Sequence, residues 1–225
     1  MNRYLEQYKA KQCTVDDALA AIRDGDFVAT SGGVNAPLLF YKNLHRIAPR
    51  LREGFDFFYG TTYKKGDFEF LDSVECKEKI HTLSGFVLSG DEREYIRQGH
   101  VDYVPTHYHS QGSKMIQARG GLDVYVAAVC PMDERTGYFR TSLSNVNETD
   151  FRNAAKKIYL EVVPSLPVIY GNNEIHISEV EGIYEYDHPL ETMDPLPFGE
   201  VEKQIGEYVA ELVEDGSTIQ LGIGA

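Results

Sequence analysis

Residues 122–129, with the sequence LDVYVAAV, decide the fold class of this chain because they carry its clearest strand signal. A single polar residue, Asp123, interrupts an otherwise apolar run. A strand that is apolar along nearly its whole length is typical of a parallel sheet with helices on both faces, since neither face then meets water. We therefore expect residues 122–129 to lie in a sheet that is covered on both sides.

Helices and further strands alternate on both sides of this segment. The other predicted strands are short and mostly apolar, and they cover residues 27–31, 55–59, 80–86, 101–105, 138–143, 158–163 and 174–178, the last as an edge strand. The predicted helices cover residues 14–22, 37–47, 91–98 and 148–157. This alternation predicts an α/β fold with a mostly parallel sheet flanked by helices.

The last part of the sequence predicts a second folding unit. A proline-rich connector, residues 189–197, precedes a helix with one apolar stripe, formed by Val201, Ile205, Tyr208, Val209, Leu212 and Val213. Asp215 and Gly216 end this helix, and residues 218–221 predict a strand. We predict one domain over residues 1–193 and, over residues 194–225, a connector, a helix and the first strand of a second domain that is cut short.

Composition excludes several classes of function. The 225 residues carry a formal net charge of -13, which argues against a nucleic-acid binder and against docking on anionic membranes. We find no apolar run of about 18 residues, so no membrane span is expected. The three cysteines are widely separated and form no CxxC pair, which is typical of free thiols in a reducing cytoplasm. We expect a cytoplasmic protein.

A glycine-rich segment at the end of the sequence is the first candidate site. Gln220, Gly222 and Gly224 follow the predicted strand. Glycine lets backbone N–H groups approach a ligand oxygen closely, and a glutamine amide can donate to a carboxylate. The alternative is a tight turn in which Gln220 is merely solvated.

A second glycine pair follows the first predicted strand. Gly33 and Asn35 should lie at the carboxyl edge of the sheet, where ligands bind in open α/β folds. Asn35 is a candidate to hydrogen-bond a small carboxylate. The alternative is a glycine turn in which Asn35 caps the helix that begins near Pro37.

A third candidate is the segment His107-Tyr108-His109, which follows the predicted strand 101–105. Two histidines at this spacing resemble a pair of metal ligands, but the sequence places no third ligand, and we predict no metal site. Tyr108 is a candidate to line a ligand pocket, and solvated loop residues are the alternative. Tyr59, Thr61 and Tyr63 are weaker candidates near the same edge.

Three segments, in the same order along the chain, match the sequence pattern of one known family. Val129–Asp133 and Gly137–Phe139 are similar to a "SPMD…GYF" segment, and residues 160–178 resemble an "EVN…MPR…G…IHVS" run. Residues 213–225 are similar to an "IxDGATLQxGIGA" signature, which is the most specific of these matches. Together these segments resemble the acetyl-CoA hydrolase/CoA-transferase family, which includes acetate and 4-hydroxybutyrate CoA-transferases.

The resemblance implies that this chain is the N-terminal half of a two-halved α/β enzyme. That enzyme would transfer CoA from an acyl-CoA to a short-chain carboxylate such as acetate, butyrate or 4-hydroxybutyrate, through a glutamyl-CoA intermediate. The nucleophilic glutamate is expected beyond Ala225, so this chain alone is expected to be inactive. CoA would be a substrate, with no permanently bound cofactor, and the full-length protein would be a homo-oligomer. The ligand pocket that Tyr108 is a candidate to line would be the acyl pocket.

The sequence departs from the family pattern by three substitutions and by one added residue in the turn at Arg135 and Thr136. Cys130 stands where the family has serine, Val163 where it has asparagine, and Val168 where it has arginine. These departures concern acyl specificity more than the fold. Three alternatives remain: an acyl-CoA hydrolase, a non-catalytic α/β binding module, and a sugar-phosphate isomerase of similar architecture.

Overall fold

A parallel sheet of seven strands forms the centre of the first of two units in the described part of the chain. The computed structural model describes residues 2–59, 69–87, 90–143, 146–190 and 197–222, and the chain divides into units of residues 1–191 and 192–225. The strands are β1 (Phe27–Thr30), β2 (Phe55–Phe58), β3 (Ile80–Ser84), β4 (Val101–Tyr103), β5 (Leu122–Val129), β6 (Tyr138–Arg140), β7 (Ala155–Val162), β8 (Glu174–His176) and β9 (Gly182–Glu185). The sheet order is β4-β3-β2-β1-β5-β7-β9, and every neighbouring pair is parallel.

Helices cover both faces of this sheet. They are α1 (Arg3–Lys11), α2 (Val15–Ala20), α3 (Leu38–Asn43), α4 (Val74–Lys79), α5 (Gly90–Arg97), α6 (Gln111–Arg119) and α7 (Glu148–Ala154), with α8 (Glu200–Ala210) in the second unit. Residues of α2, α3 and α4 share one apolar cluster with Val124 and Val126. Residues of α1, α6 and α7 share the other with Tyr125 and Ala127. Alternate residues of one strand therefore belong to two separate cores.

Strand β5 confirms the prediction made from residues 122–129. It lies between β1 and β7, and every residue except Asp123 is buried. Asp123 sits at the amino end of the strand, where its carboxylate accepts the backbone N–H of Phe27 at 2.9 Å. The predicted α/β class with a parallel sheet flanked by helices is thus correct.

Two predicted strands belong to a different sheet from the one expected. β6 and β8 pair with each other in antiparallel register, Phe139 opposite Ile175, outside the parallel sheet. The predicted helix 148–157 is also wrong at its end: α7 stops at Ala154, and β7 begins at Ala155, opposite Leu122. Pairing with the long strand β5 extends β7 toward the N-terminus at the expense of the helix.

The strand predicted over residues 218–221 is not formed. The described residues 211–222 contain turns and irregular backbone, and Ile219 and Leu221 are exposed. A strand is stable only when a neighbouring strand satisfies its backbone groups, and no described residue pairs with this segment.

The sequence patterns did not predict four of the observed elements, α1, α4, α6 and β9.

None of the described helices is long and apolar enough to cross a bilayer. Cys13, Cys76 and Cys130 are free thiols.

Candidate functional site

The order of the strands reverses direction at β1 and β5. From β1 the chain proceeds through β2 and β3 to β4 on one side, whereas β5, β7 and β9 follow on the other side. Ligands in open parallel sheets bind at such a switch point, in the crevice beyond the carboxyl ends of the strands. The segments that follow β1 and β5 therefore define the candidate site.

Ser31, the first residue after β1, connects the segment after β1 to strand β5. It is fully buried. Its Oγ accepts the backbone N–H of Ala128 at 3.0 Å and donates to the carbonyl oxygen of Asn35. The segment between β1 and α3, residues 31–37, is thus held against strand β5; we call it the β1–α3 loop.

Asn35 ties the β1–α3 loop to a second loop. It is fully buried, and its Oδ1 accepts the backbone N–H of Ser142 at 3.2 Å. Ser142 in turn donates from Oγ to the carbonyl oxygen of Pro167 at 2.6 Å. The alternative that Asn35 caps α3 is wrong, because the residue that precedes α3 is Pro37. A direct contact of Asn35 with substrate stays a prediction.

Gly33 gives the β1–α3 loop its shape. Its φ of 60° lies in the left-handed region, and it begins a short 3₁₀ turn, Gly33–Asn35. Among the described residues, no acceptor pairs with the backbone N–H groups of Gly33 or Val34. Consecutive N–H groups in such a turn form a concavity that favours an anion.

A buried glutamate lies beside the β1–α3 loop. Glu148, the first residue of α7, is buried beside the loop and Tyr125. Burial raises the pKa of Glu148 to about 8, although the nearby N–H groups of Asn147 and Gly32 act in the opposite direction. Glu148 is therefore mainly a neutral acid at neutral pH.

A second buried glutamate holds the other end of the loop. Glu161, on β7, accepts the backbone N–H groups of Leu39 at 3.1 and 3.2 Å and of Phe40 at 3.2 Å. Burial raises the pKa of Glu161 to about 7, against the effect of these N–H donors. Sequence reasoning missed both glutamates. A signal existed for Glu161, because it is a lone acid within the apolar run of residues 158–163.

Tyr108 lies at the same edge of the sheet, in the segment after β4. It is 44% exposed, and its ring packs against Phe86 with centroids 5.1 Å apart. The rings of His107 and His109 stack at 5.7 Å. Among the described residues, no group of three or more metal-ligating side chains occurs. Whether Tyr108 lines an acyl pocket stays a prediction.

A buried polar cluster ends β2 and β3. The hydroxyl of Tyr59 donates to Glu92, and Oγ of Ser84 donates to the same carboxylate at 2.9 Å. Tyr59 is buried rather than presented to solvent. Thr61 and Tyr63, the neighbouring candidates, lie outside the described residues.

The C-terminal candidates belong to the second unit. Gln220 and Gly222 are exposed and lie in no helix or strand. Gly224 lies outside the described residues. The structure thus places Glu148 beside the loop that carries Gly33 and Asn35, and Glu161 at the start of the helix that follows this loop. The proposed role of Gln220, Gly222 and Gly224 stays a prediction.

Comparison with known proteins identifies the family. The chain matches the Acetyl-CoA hydrolase/transferase N-terminal domain over residues 1–193. It belongs to the acetyl-CoA hydrolase/transferase family. It is 34% identical, over 98% of its length, to succinyl-CoA:cyclohexane-1-carboxylate CoA transferase of Geobacter metallireducens, and 30% identical, also over 98%, to 4-hydroxybutyrate coenzyme A transferase of Clostridium kluyveri.

Solved structures give the same assignment for the fold. RipA from Yersinia pestis superposes with a TM-score of 0.85 at 28% identity, over 99% of this chain and 52% of that protein. A 4-hydroxybutyrate CoA-transferase from Porphyromonas gingivalis superposes with a TM-score of 0.73 at 27% identity, over 98% of this chain and 50% of that protein. The chain spans about half the length of the two CoA transferases named above, 49% and 50%.

Proposed function

We propose that this family member forms the N-terminal, substrate-binding half of an enzyme that transfers CoA between an acyl-CoA and a short-chain carboxylate. The match to the family's N-terminal domain over residues 1–193 carries this proposal. The relatives from Geobacter metallireducens, Clostridium kluyveri and Syntrophomonas wolfei are named for CoA transfer involving cyclohexane-1-carboxylate, 4-hydroxybutyrate and butyrate. Acetate, butyrate or 4-hydroxybutyrate are the acids we propose here.

The proposed reaction proceeds in two halves. A glutamate carboxylate, supplied from outside these residues, attacks the thioester carbonyl and expels CoA thiolate, leaving an acyl-glutamyl anhydride. The thiolate attacks the glutamyl carbonyl, which releases the first carboxylate and leaves glutamyl-CoA. The acceptor carboxylate then repeats these steps in reverse order and leaves as the new acyl-CoA.

Each step passes through a tetrahedral oxyanion, which needs fixed hydrogen-bond donors. We assign the N–H groups of Gly33 and Val34 to this task and to binding the substrate carboxylate, because the β1–α3 loop lies at the switch point and leaves them without an acceptor among the described residues. Gln220, Gly222 and Gly224 are further proposed donors. Asn35 holds the loop, and Tyr108 would border the acyl group.

Residues 194–225 are proposed to begin the second α/β half. The family match ends at residue 193, and the apolar stripe of α8, including Val201, Ile205 and Val209, is exposed. A stripe of this kind needs a partner surface. A cytoplasmic location and a homo-oligomeric full-length protein are further predictions of the same proposal.

The phosphates of CoA are proposed to bind elsewhere. A net charge of -13 does not favour a polyanion. We expect the 225-residue chain to show no tight binding of CoA in equilibrium dialysis. A tight CoA site built by this chain alone would contradict this part of the proposal.

A chimera tests the proposed function. Residues 1–225 are joined to the second half of the relative from Geobacter metallireducens, and the product is assayed for CoA transfer from acetyl-CoA to butyrate. We expect turnover, and a loss of about a hundredfold when Gly33→Ala displaces the loop donors. Gly171→Ala is the matched control, because a Cβ at Gly171 meets open space. A folded but inactive chimera, or equal loss in both variants, would contradict the proposal.

The family name also includes hydrolases. In a hydrolase, water rather than a second carboxylate resolves glutamyl-CoA. Free CoA released from acetyl-CoA at the same rate with and without butyrate would identify the hydrolase.

A further inference from the structure

The start of helix α3 is occupied by a side chain from a distant strand. Glu161 lies on β7, which is separated from β1 by β5. Its carboxylate nevertheless reaches the N–H groups of Leu39 and Phe40, within the first turn of α3. The helix N-terminus after the β1–α3 loop is therefore already occupied by a carboxyl group of the protein itself.

This arrangement is costly for the fold. Glu161 is completely buried, and none of the ion pairs among the described residues includes it. Tyr184 lies beside it, also buried. A buried carboxyl without a cation is less favourable than a well-packed apolar side chain. Stability alone does not account for glutamate at this position.

The position of Glu161 divides the available donors into two groups. The N–H groups of Leu39 and Phe40 are taken, so the helix end cannot receive a substrate carboxylate. The N–H groups of Gly33 and Val34, in the 3₁₀ turn that precedes α3, have no acceptor among the described residues. Fixing the first group fixes where α3 begins and thus the path of the loop that presents the second group.

We propose that Glu161 is a positioning residue, which holds the start of α3 so that the β1–α3 loop presents the N–H groups of Gly33 and Val34 to the substrate carboxylate. This inference rests on the proposed function, because it takes the loop to be the carboxylate site. Glu161 acts through the loop and does not touch the substrate.

Nuclear magnetic resonance on the ¹⁵N-labelled 225-residue chain tests the proposal. The pH is varied from 5.5 to 8.5, and the amide shifts of Leu39, Phe40, Gly33 and Val34 are followed. Ionisation of Glu161 should shift the amide resonances of Leu39 and Phe40 directly, because their N–H groups donate to its carboxyl group. It should shift those of Gly33 and Val34 through the change in the loop. Near Glu161, burial raises the pKa values of Tyr184 and Cys13 above their usual range, so these groups stay neutral in this window.

Glu148 also titrates near this range, and a variant separates the two groups. In Glu161→Gln, the titration near pH 7 should disappear from all four amides, and butyrate should bind about tenfold more weakly than in the wild type. Asp123→Asn is the matched control, because Asp123 accepts a backbone N–H at the opposite end of β1. It should leave both the titration and butyrate binding unchanged.

The outcomes distinguish this inference from the proposed function. If Gly33 and Val34 do not follow the titration of Leu39 and Phe40 in the wild type, the positioning role is wrong, and no variant is needed for that result. An equal effect of Asp123→Asn would also overturn it. If the wild type does not bind butyrate at the loop, the proposed carboxylate site fails, while the amide titration still decides the role of Glu161.

Discussion

Oγ of Ser31 accepts the backbone N–H of Ala128 at 3.0 Å and thereby joins the end of β1 to strand β5. The same hydroxyl donates to the carbonyl oxygen of Asn35. One buried side chain therefore closes the β1–α3 loop and attaches it to the central strand. The shape of the candidate site depends on this contact.

Ser31→Ala should destabilise the first unit by about 1–3 kcal/mol, because it leaves the N–H of Ala128 buried without its acceptor. Urea unfolding followed by circular dichroism measures the change. Ser113→Ala is the control, since Ser113 is exposed and donates only within its own helix region. Equal midpoints for wild type and Ser31→Ala would show that the contact contributes nothing.

The pKa of Glu148, raised to about 8, makes stability depend on pH. The folded state holds a proton that the unfolded state releases near pH 4.5, so stability is greatest at low pH and falls as pH rises toward 8. Each unit of pKa difference corresponds to about 1.4 kcal/mol. Glu161 also has a raised pKa, of about 7, so it likewise makes the fold less stable as the pH rises toward 7.

Glu148→Gln should therefore flatten the dependence of the urea midpoint on pH between 5 and 8. Relative to the wild type, the urea midpoint of the variant should increase as the pH rises toward 8. Glu179→Gln is a control of opposite sign. Its ion pair with Arg152 contributes to a lowered pKa, so Glu179 stabilises the fold at neutral pH and loses that effect only in acid. A wild-type midpoint that is constant from pH 5 to 8 would refute the assignment.

Gly85→Ala should destabilise the carboxyl edge of the sheet. A Cβ at Gly85 would lie 2.6 Å from Nε2 of Gln111, which is buried and donates to the Gly85 carbonyl at 2.6 Å. Displacing Gln111 should cost about 1–3 kcal/mol, measured by urea unfolding. Gly171→Ala, which meets open space, should change the midpoint little. A larger loss of stability in Gly171→Ala than in Gly85→Ala would contradict the packing described here.

A chain of residues 1–193 should keep the urea midpoint and near-ultraviolet circular dichroism of the full chain. The buried core residues of the described chain all precede residue 191, and the two units divide after Glu191. Ending the chain after His176 should instead prevent folding, because it removes β9 with the buried residues Ile183 and Tyr184. Loss of structure in 1–193 would show that residues 194–225 complete the first core.

Local sequence was sufficient where a single strand or helix cap carried the signal. The apolar run of residues 122–129 forms β5, and the helix predicted from residue 14 begins there, with Thr14 as its cap. Which strands pair with one another was not predictable from local sequence. The strand predicted over 174–178 pairs with β6 outside the main sheet, and residues 218–221 form no strand, because pairing depends on distant residues.

The candidate site was predictable in position but not in detail. A glycine pair after a strand correctly indicated the carboxyl edge at β1. The internal hydrogen bond of Asn35 to Ser142 links residues 107 positions apart, and that of Glu161 to Leu39 links residues 122 positions apart. No local pattern encodes such contacts, although a lone acid in an apolar strand marks Glu161 as unusual.

CoA transfer from acetyl-CoA to butyrate by the purified 225-residue chain tests the central claim most directly. The claim is that this chain is the substrate-binding half of a transferase whose nucleophile lies outside it. Butyryl-CoA should not form above the uncatalysed rate, whereas an intact relative assayed in parallel should produce it. Turnover by this chain alone at an enzyme-like rate, about 1 s⁻¹ or more, would contradict the account.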